Sequence, residues 1–127
     1  MIIPIAAISA GASLGALLRW RLGVALNAIW PNLPLGTLVA NLLGGLLIGI
    51  ASEVLISRTA IPPEWRLAII TGFLGGLTTF STFSLEVSTQ LQQGRIVNAT
   101  IEIMLHVAGS VLLTIVGIVI AQQVLRA

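Results

Sequence analysis

The chain has 127 residues, of which 57% are hydrophobic and only 8% are charged, and its mean hydropathy is +1.08. A soluble domain carries about a quarter charged residues, so this chain has too few polar side chains to cover a water-facing surface, and an integral membrane protein is indicated. The basic residues are six scattered arginines, which exclude a nucleic-acid-binding patch, and the absence of cysteine excludes disulfides and thiolate chemistry.

Four apolar runs follow one another along the chain and predict four transmembrane helices. The links between them, residues 30–34, 57–64 and 92–95, are rich in proline or polar residues, which end a helix. The first run has no basic segment before it and leads directly into Arg19, so we expect a retained helix rather than a cleaved signal peptide. The sequence predicts one all-α membrane domain over residues 1–127, with spans at about 2–28, 35–56, 65–90 and 97–125.

The arginines divide evenly between the two ends of such a bundle. The end with both termini carries three and the opposite end carries three, namely Arg58, Arg66 and Arg126 against Arg95, Arg19 and Arg21. An excess of basic residues on the cytoplasmic side normally fixes orientation. The even count therefore predicts dual topology, with two inverted copies pairing as an antiparallel homodimer. A single orientation fixed by other features is the alternative.

Small residues recur at every fourth position in the first two spans. They are Ala7, Gly11 and Gly15 in the first span, and Gly45 and Gly49 after Asn41 in the second. Because packing rather than hydrophobicity drives helix association in lipid, small residues at this spacing allow close backbone approach. These faces are predicted to contact protein rather than lipid.

Polar side chains lie at depth in the second and fourth spans. Asn41 is six residues into the second span, where its amide needs either an interhelical hydrogen bond or a water-filled cavity. In the fourth span, polar residues at every fourth position form one stripe, Glu102, His106, Ser110 and Thr114. The stripe predicts the wall of an aqueous vestibule, although Glu102 and His106 can instead face the lipid headgroups.

The third span is the unusual one. Adjacent glycines Gly75 and Gly76 are followed by five hydroxyl residues in seven positions, which makes a poor continuous helix. We therefore predict a break near mid-membrane, between Gly75 and Thr79. Unwound backbone at this depth persists where it is buried or lines a cavity, and it can offer carbonyls to a cation and N–H or hydroxyl donors to an anion.

Phe80 and Phe83 follow this segment and share a face if the chain there is helical. Their ring edges carry partial positive charge, which favours an anion, but ordinary core packing is the alternative. Together with the neighbouring hydroxyls, they would suit a small, strongly hydrated anion that must lose its water.

Residues 75–84, Gly-Gly-Leu-Thr-Thr-Phe-Ser-Thr-Phe-Ser, closely resemble a segment of the Fluc/CrcB family of fluoride channels. Gly11, Gly15-Ala16, Arg19, Gly36-Thr37, Asn41 and Gly44 also match, and the resemblance covers essentially the whole chain. It implies an antiparallel homodimer in the bacterial inner membrane, with two fluoride pores that are each lined by both subunits. It also implies passive fluoride efflux that limits fluoride toxicity.

The same resemblance implies roles for individual residues. The fluoride pathway would comprise Asn41, Phe80, Phe83, Ser81, Thr82, Ser110 and Thr114, with Arg19, Glu86 and His106 near a vestibule. A structural sodium ion at the dimer axis would be held by main-chain oxygens of Gly75 and Thr78. The expected partners are fluoride, a second copy of the chain and membrane lipid, and no nucleic acid.

Three other classes of protein compete with a channel. A small dual-topology multidrug/proton exporter needs an ionisable group deep in the membrane, whereas the first span has no acid and Glu86 and Glu102 are expected nearer a surface. A noncatalytic assembly subunit would leave the hydroxyl-rich segment and the polar stripe without a purpose. An enzyme is least favoured, because no nucleophile–base pair or metal constellation can be assembled from one histidine and four glutamates.

Overall fold

A computed structural model describes residues 1–127, and it is entirely helical. Helix α1 covers Ile2–Leu26 and α2 covers Leu35–Ser57. Helix α3 is a composite of an α-helical turn, a π-helical stretch and a last α-helical turn, at Pro63–Arg66, Leu67–Leu74 and Gly75–Leu77. Helices α4 and α5 cover Phe80–Gln92 and Ile96–Arg126.

Four spans are long and apolar enough to cross a membrane, as the sequence predicted. They are α1, α2, the combined α3 and α4 over Pro63–Gln92, and α5. Large apolar side chains are exposed along all four, while the central buried cluster consists only of Ala40, Leu74 and Leu77. This inverts the pattern of a soluble domain, because lipid or another apolar surface must cover the exterior.

The side chain of Asn27, directly after the C-terminal end of α1, caps the start of α2. Pro34 stands at the N-cap of α2 and has no side chain that can accept a hydrogen bond. The Asn27 Oδ1 atom accepts instead, from the N–H groups of Gly36 at 2.8 Å and Thr37 at 3.3 Å. A residue nine positions away thus supplies the cap that α2 lacks locally.

The small-residue faces pack against protein, which confirms that prediction. Helix α1 packs on α3, and α2 packs on α5. A Cβ atom added at Gly11 would lie 2.8 Å from the Phe73 nitrogen, and one at Gly45 would lie 2.8 Å from the Ser110 carbonyl oxygen. Glycine is required at these crossings because the neighbouring backbone occupies the space of a methyl group.

Gly49 provides a direct test of this packing. A methyl group at Gly49 would overlap the Thr114 carbonyl, whereas one at Gly23 would meet nothing closer than the end of the Asn27 side chain at 3.3 Å. We expect Gly49→Ala to destabilise the subunit by about 1–3 kcal/mol and to lower its melting temperature in detergent. Gly23→Ala, which requires only the end of one side chain to shift, is the matched control. Equal melting temperatures for the two variants would contradict the close α2–α5 contact.

The third span is not helical at Thr78 and Thr79. Both residues are extended, with φ and ψ of −86° and 153° at Thr78 and −147° and 118° at Thr79. Gly75 and Gly76, which the sequence placed in the break, are helical. Gly76 serves a different purpose, because an added Cβ there would overlap the Ala12 carbonyl of α1. The π-helical turn geometry of Leu67–Leu74 was not anticipated.

Candidate ion-pathway site

The Asn41 side chain takes over the backbone hydrogen bonds of Thr79. The Thr79 N–H donates to Asn41 Oδ1 at 2.7 Å, and Asn41 Nδ2 donates to the Thr79 carbonyl at 2.9 Å. Asn41 Nδ2 also lies 3.0 Å from His106 Nδ1. A primary amide can satisfy one N–H and one C=O at once, so this residue lets an extended peptide persist inside a helical bundle.

The carbonyls of Gly75, in the last turn of α3, and of Thr78, directly after it, lack their usual helical donors. In a continuous helix the Thr79 N–H would bond to Gly75 and the Thr82 N–H would bond to Thr78. The first donates to Asn41 instead, and the second donates to the Thr79 hydroxyl at 3.1 Å. The Thr79 side chain thereby caps the start of α4.

Arg19 binds the end of α3 from α1. Its Nε–H donates to the Gly76 carbonyl at 3.0 Å, and the guanidinium is half-buried. A cavity of about 360 Å³ opens beside it, and five of its eight lining residues have polar side chains, namely Arg19, Asn27, Thr37, Thr79 and Thr82. This Arg19 cavity places a cation and several hydroxyls on one side of the extended segment.

A second cavity, of about 490 Å³, lies along α2, α3, α4 and α5 and also borders Thr79. We call it the phenylalanine groove. It brings together most residues that the resemblance assigned to an ion pathway or cation site, namely Asn41, Phe80, Phe83, Ser110, His106, Gly75 and Thr78.

The two aromatic rings differ sharply in exposure. Phe83 is 7% exposed, whereas Phe80 is 78% exposed. Their centroids are 5.6 Å apart in an edge-on arrangement, and Phe83 stacks on the His106 imidazole at 4.5 Å. The Phe83 ring therefore has a fixed position within one subunit, while the Phe80 ring faces outwards.

Five of the predicted site residues lie outside the phenylalanine groove, and one of them is Arg19, which lines its own cavity. Thr82 lines the Arg19 cavity, and Ser81 is exposed beside the Thr79 hydroxyl, 3.4 Å from it. The Thr114 hydroxyl lies 2.9 Å from the carbonyls of Gly45 and Ser110, where it joins α2 to α5. Glu86 borders a separate polar cleft of about 470 Å³ near the link at residues 92–95.

The first two residues of the fourth-span stripe are buried, and Ser110 and Thr114 are half-buried. Glu102 and His106 are 0% and 4% exposed, so other parts of the chain, rather than lipid headgroups, surround their side chains. The expectation that Glu102 lies nearer a membrane surface stays a prediction. Glu102 accepts a hydrogen bond from Gln90 Nε2, which also donates to the Asn32 carbonyl at 2.9 Å. These contacts from α4 and the α1–α2 link cover the carboxylate.

Gln90 and Thr37 were not singled out from the sequence. Gln90 stands in a polar run at the end of a span, which hydropathy cannot distinguish from an exposed terminus. Thr37 precedes Asn41 by one helical turn, which was the available signal, and its hydroxyl donates to Glu86 Oε1 at 2.7 Å.

Two sets of groups have atoms of the kind that bind cations. One is the pair of carbonyls at Gly75 and Thr78, at the end of α3 and directly after it. The other is a buried cluster of Glu86, Glu102 and His106, whose potential ligand atoms lie within 4.8 Å of one another. In this cluster Glu86 Oε2, Glu102 Oε1 and His106 Nε2 have no hydrogen-bond partner.

These features define a multi-pass membrane protein with two cavities, each bordered by several polar side chains, on either side of the extended segment at Thr79. The family model described as CrcB-like protein, Camphor Resistance (CrcB), matches residues 6–118. The chain belongs to this family.

Curated relatives are similar over nearly their full lengths. A protein of Tolumonas auensis is 57% identical over 117 residues, covering 92% of each chain, and one of Burkholderia vietnamiensis is 60% identical over 117 residues, covering 92% of this chain and 91% of the relative. A protein of Burkholderia lata is 55% identical over 127 residues, covering 100% of this chain and 99% of the relative. Each is named a fluoride-specific ion channel, FluC.

Proposed function

We propose that this protein is a fluoride-selective ion channel that carries fluoride passively out of the cell and so protects it from fluoride toxicity. The family match and the names of relatives at 55–60% identity support this function. The structural observation that carries it is the phenylalanine groove, where Asn41, Phe80 and Phe83 meet beside the clamped Thr79.

The path we propose passes from the Arg19 cavity, by Thr79, into the phenylalanine groove. Both cavities border Thr79, so the extended segment separates them. Arg19 supplies positive charge at the start of this path, and the Phe80 and Phe83 ring edges supply partial positive charge along it. Fluoride moves by exchanging hydration water for these fixed groups, without any bond being made or broken.

Hydroxyl groups along the path are available as donors. The Thr79 hydroxyl donates to Thr82 Oγ1 at 2.9 Å, which leaves the Thr82 hydrogen free. Ser110 borders the groove, and Ser81 is exposed near its rim. We assign these three hydroxyls to fluoride, with Thr114 as a further contributor if its hydroxyl turns away from the carbonyls that it now contacts.

The working unit we propose is an antiparallel dual-topology homodimer with two pores. Phe80 is largely exposed in one subunit, and Gly75 has open space where a Cβ would stand. A second copy packed on this side would cover both residues and complete the groove wall. The even arginine count supports the inverted orientation of that copy.

We further propose that a structural sodium ion binds the Gly75 and Thr78 carbonyls of both subunits. Their usual donors, the N–H groups of Thr79 and Thr82, bond elsewhere, and both residues border the open groove. Carbonyl oxygens freed in this way suit a hard monovalent cation. The positive charge of the ion would hold together the extended segments at Thr78 and Thr79 of the two subunits.

Removing sodium is therefore expected to weaken the dimer. Detergent-solubilised protein in N-methylglucamine chloride should show a lower dimer fraction by size-exclusion chromatography than in sodium chloride, because the carbonyls would repel one another. Potassium chloride is the ionic-strength control. The same dimer fraction in all three salts would count against the sodium site.

The multidrug/proton exporter is not supported by the relatives. Glu102 is buried, but it borders neither the phenylalanine groove nor the Arg19 cavity. A cell assay separates the two classes. In bacteria that lack their own fluoride exporter, we expect the chain to restore growth in fluoride and to give no resistance to ethidium. Resistance to ethidium without resistance to fluoride would overturn the proposed function.

A further inference from the structure

The orientation of the Asn41 amide is fixed by the backbone that it binds. A backbone N–H can only donate and a carbonyl can only accept, so the atom facing the Thr79 N–H is Oδ1 and the atom facing the Thr79 carbonyl is Nδ2. This settles an oxygen/nitrogen assignment that is often ambiguous. The remaining Nδ2 hydrogen is directed at His106 Nδ1, 3.0 Å away.

The tautomer of His106 follows from this contact. A hydrogen on His106 Nδ1 would face the hydrogen on Asn41 Nδ2, and two donors repel each other. Nδ1 must therefore be bare and accept, which places the ring hydrogen on Nε2. That N–H faces the Glu102 carboxylate at 3.9 Å, beyond ordinary hydrogen-bond length.

This tautomer argues against the buried cluster as a metal site. A metal bound at His106 Nε2 needs a lone pair there, but the contact with Asn41 leaves the lone pair on Nδ1. With Nε2–H pointing inwards, the cluster presents a donor towards Glu102 rather than a third ligand. The histidine therefore accepts a hydrogen bond from Asn41 instead of binding a metal ion.

We propose that His106 is a positioning residue of the fluoride pathway: its Nδ1 accepts from Asn41 and so holds the amide that clamps Thr79, while its ring supports Phe83. This inference rests on the proposed channel function, since Asn41 and Phe83 are pathway residues there. The ring stacks on Phe83 with an interplanar angle of 29°, so one side chain on α5 fixes groups on α2 and α4.

The tautomer can be measured without any flux assay. His106 is the only histidine, so protein labelled with ¹⁵N-histidine and free of a histidine tag gives a single pair of ring signals. In liposomes we expect a hydrogen-bearing Nε2 and a bare Nδ1. In Asn41→Leu this preference should weaken, whereas Asn98→Leu, on the first turns of α5, should leave the spectrum unchanged. A hydrogen on Nδ1 in the unaltered protein would overturn the inference.

Two substitutions separate positioning from packing. His106→Phe keeps a ring against Phe83 but has no acceptor, and we expect about tenfold slower fluoride efflux. His106→Asn offers an acceptor near the position of Nδ1, and we expect efflux within about threefold of the original.

Each result distinguishes the two proposals. If the unaltered protein conducts fluoride and His106→Phe conducts equally fast, the positioning role fails while the channel function stands. If the unaltered protein releases no fluoride, the channel function fails, and the ring signals alone report whether Asn41 sets the tautomer.

Discussion

Replacing Asn41 with Leu is expected to lower fluoride efflux by about a hundredfold, the largest loss from any single side chain, because two buried backbone groups then lose their partners. The Thr79 N–H and carbonyl both bond to the Asn41 amide, and no helical neighbour can take its place where the chain is extended. The segment between the two cavities would lose its fixed conformation. Fluoride efflux from liposomes, followed with a fluoride electrode, measures the effect.

The control for this substitution is Asn98→Leu, which removes an amide from α5 that lines neither the phenylalanine groove nor the Arg19 cavity. It should conduct at the original rate. Comparable efflux from the Asn41 and Asn98 variants would show that the hydrogen bonds between Asn41 and Thr79 are irrelevant to conduction.

Phe83→Ile is expected to slow fluoride efflux by about tenfold or more while the dimer still assembles. The substitution removes both the ring edge in the groove and the stack on His106, and an aromatic pair contributes about 0.5–1.5 kcal/mol beyond its buried area. Isoleucine keeps most of the apolar volume, so the α4–α5 packing around Val87 and Ala99 should persist.

The chain offers a matched control in Phe73. This ring is half-buried on α3 and borders another, mostly apolar cavity, and it does not line the phenylalanine groove. Phe73→Ile should leave efflux near its original rate, and size-exclusion chromatography should show dimers for both variants. If both variants conduct like the original protein, the Phe83 ring is a packing group and has no part in the pathway.

The spans could be predicted because hydropathy and helix breakers are local properties. Apolar runs of about 20 residues and the proline-rich or polar links between them are visible in the sequence, and the four observed spans follow them. The glycine faces were predictable for the same reason. The role of Gly76 could not be predicted, because its close approach to Ala12 depends on where α1 lies.

The sequence could predict that polar side chains of the site require hydrogen-bond partners, but it could not predict which residues those partners are. The depth of Asn41 indicated that its amide requires a partner, but the partner, Thr79, is 38 positions away. Likewise, nothing local predicts that Gln90 covers Glu102, because the contact depends on how the end of α4 meets the start of α5. The roles of individual residues in binding fluoride and sodium, and the antiparallel dimer, come from the family resemblance. They stay predictions.

The central claim is selective fluoride conduction, and the most direct measurement is paired anion release from liposomes that contain both fluoride and chloride. With two ion-selective electrodes and an ionophore to balance charge, we expect rapid fluoride release while chloride stays trapped. Empty liposomes treated with the same ionophore give the background. Equal release of both anions, or fluoride release no faster than from empty liposomes, would contradict the account.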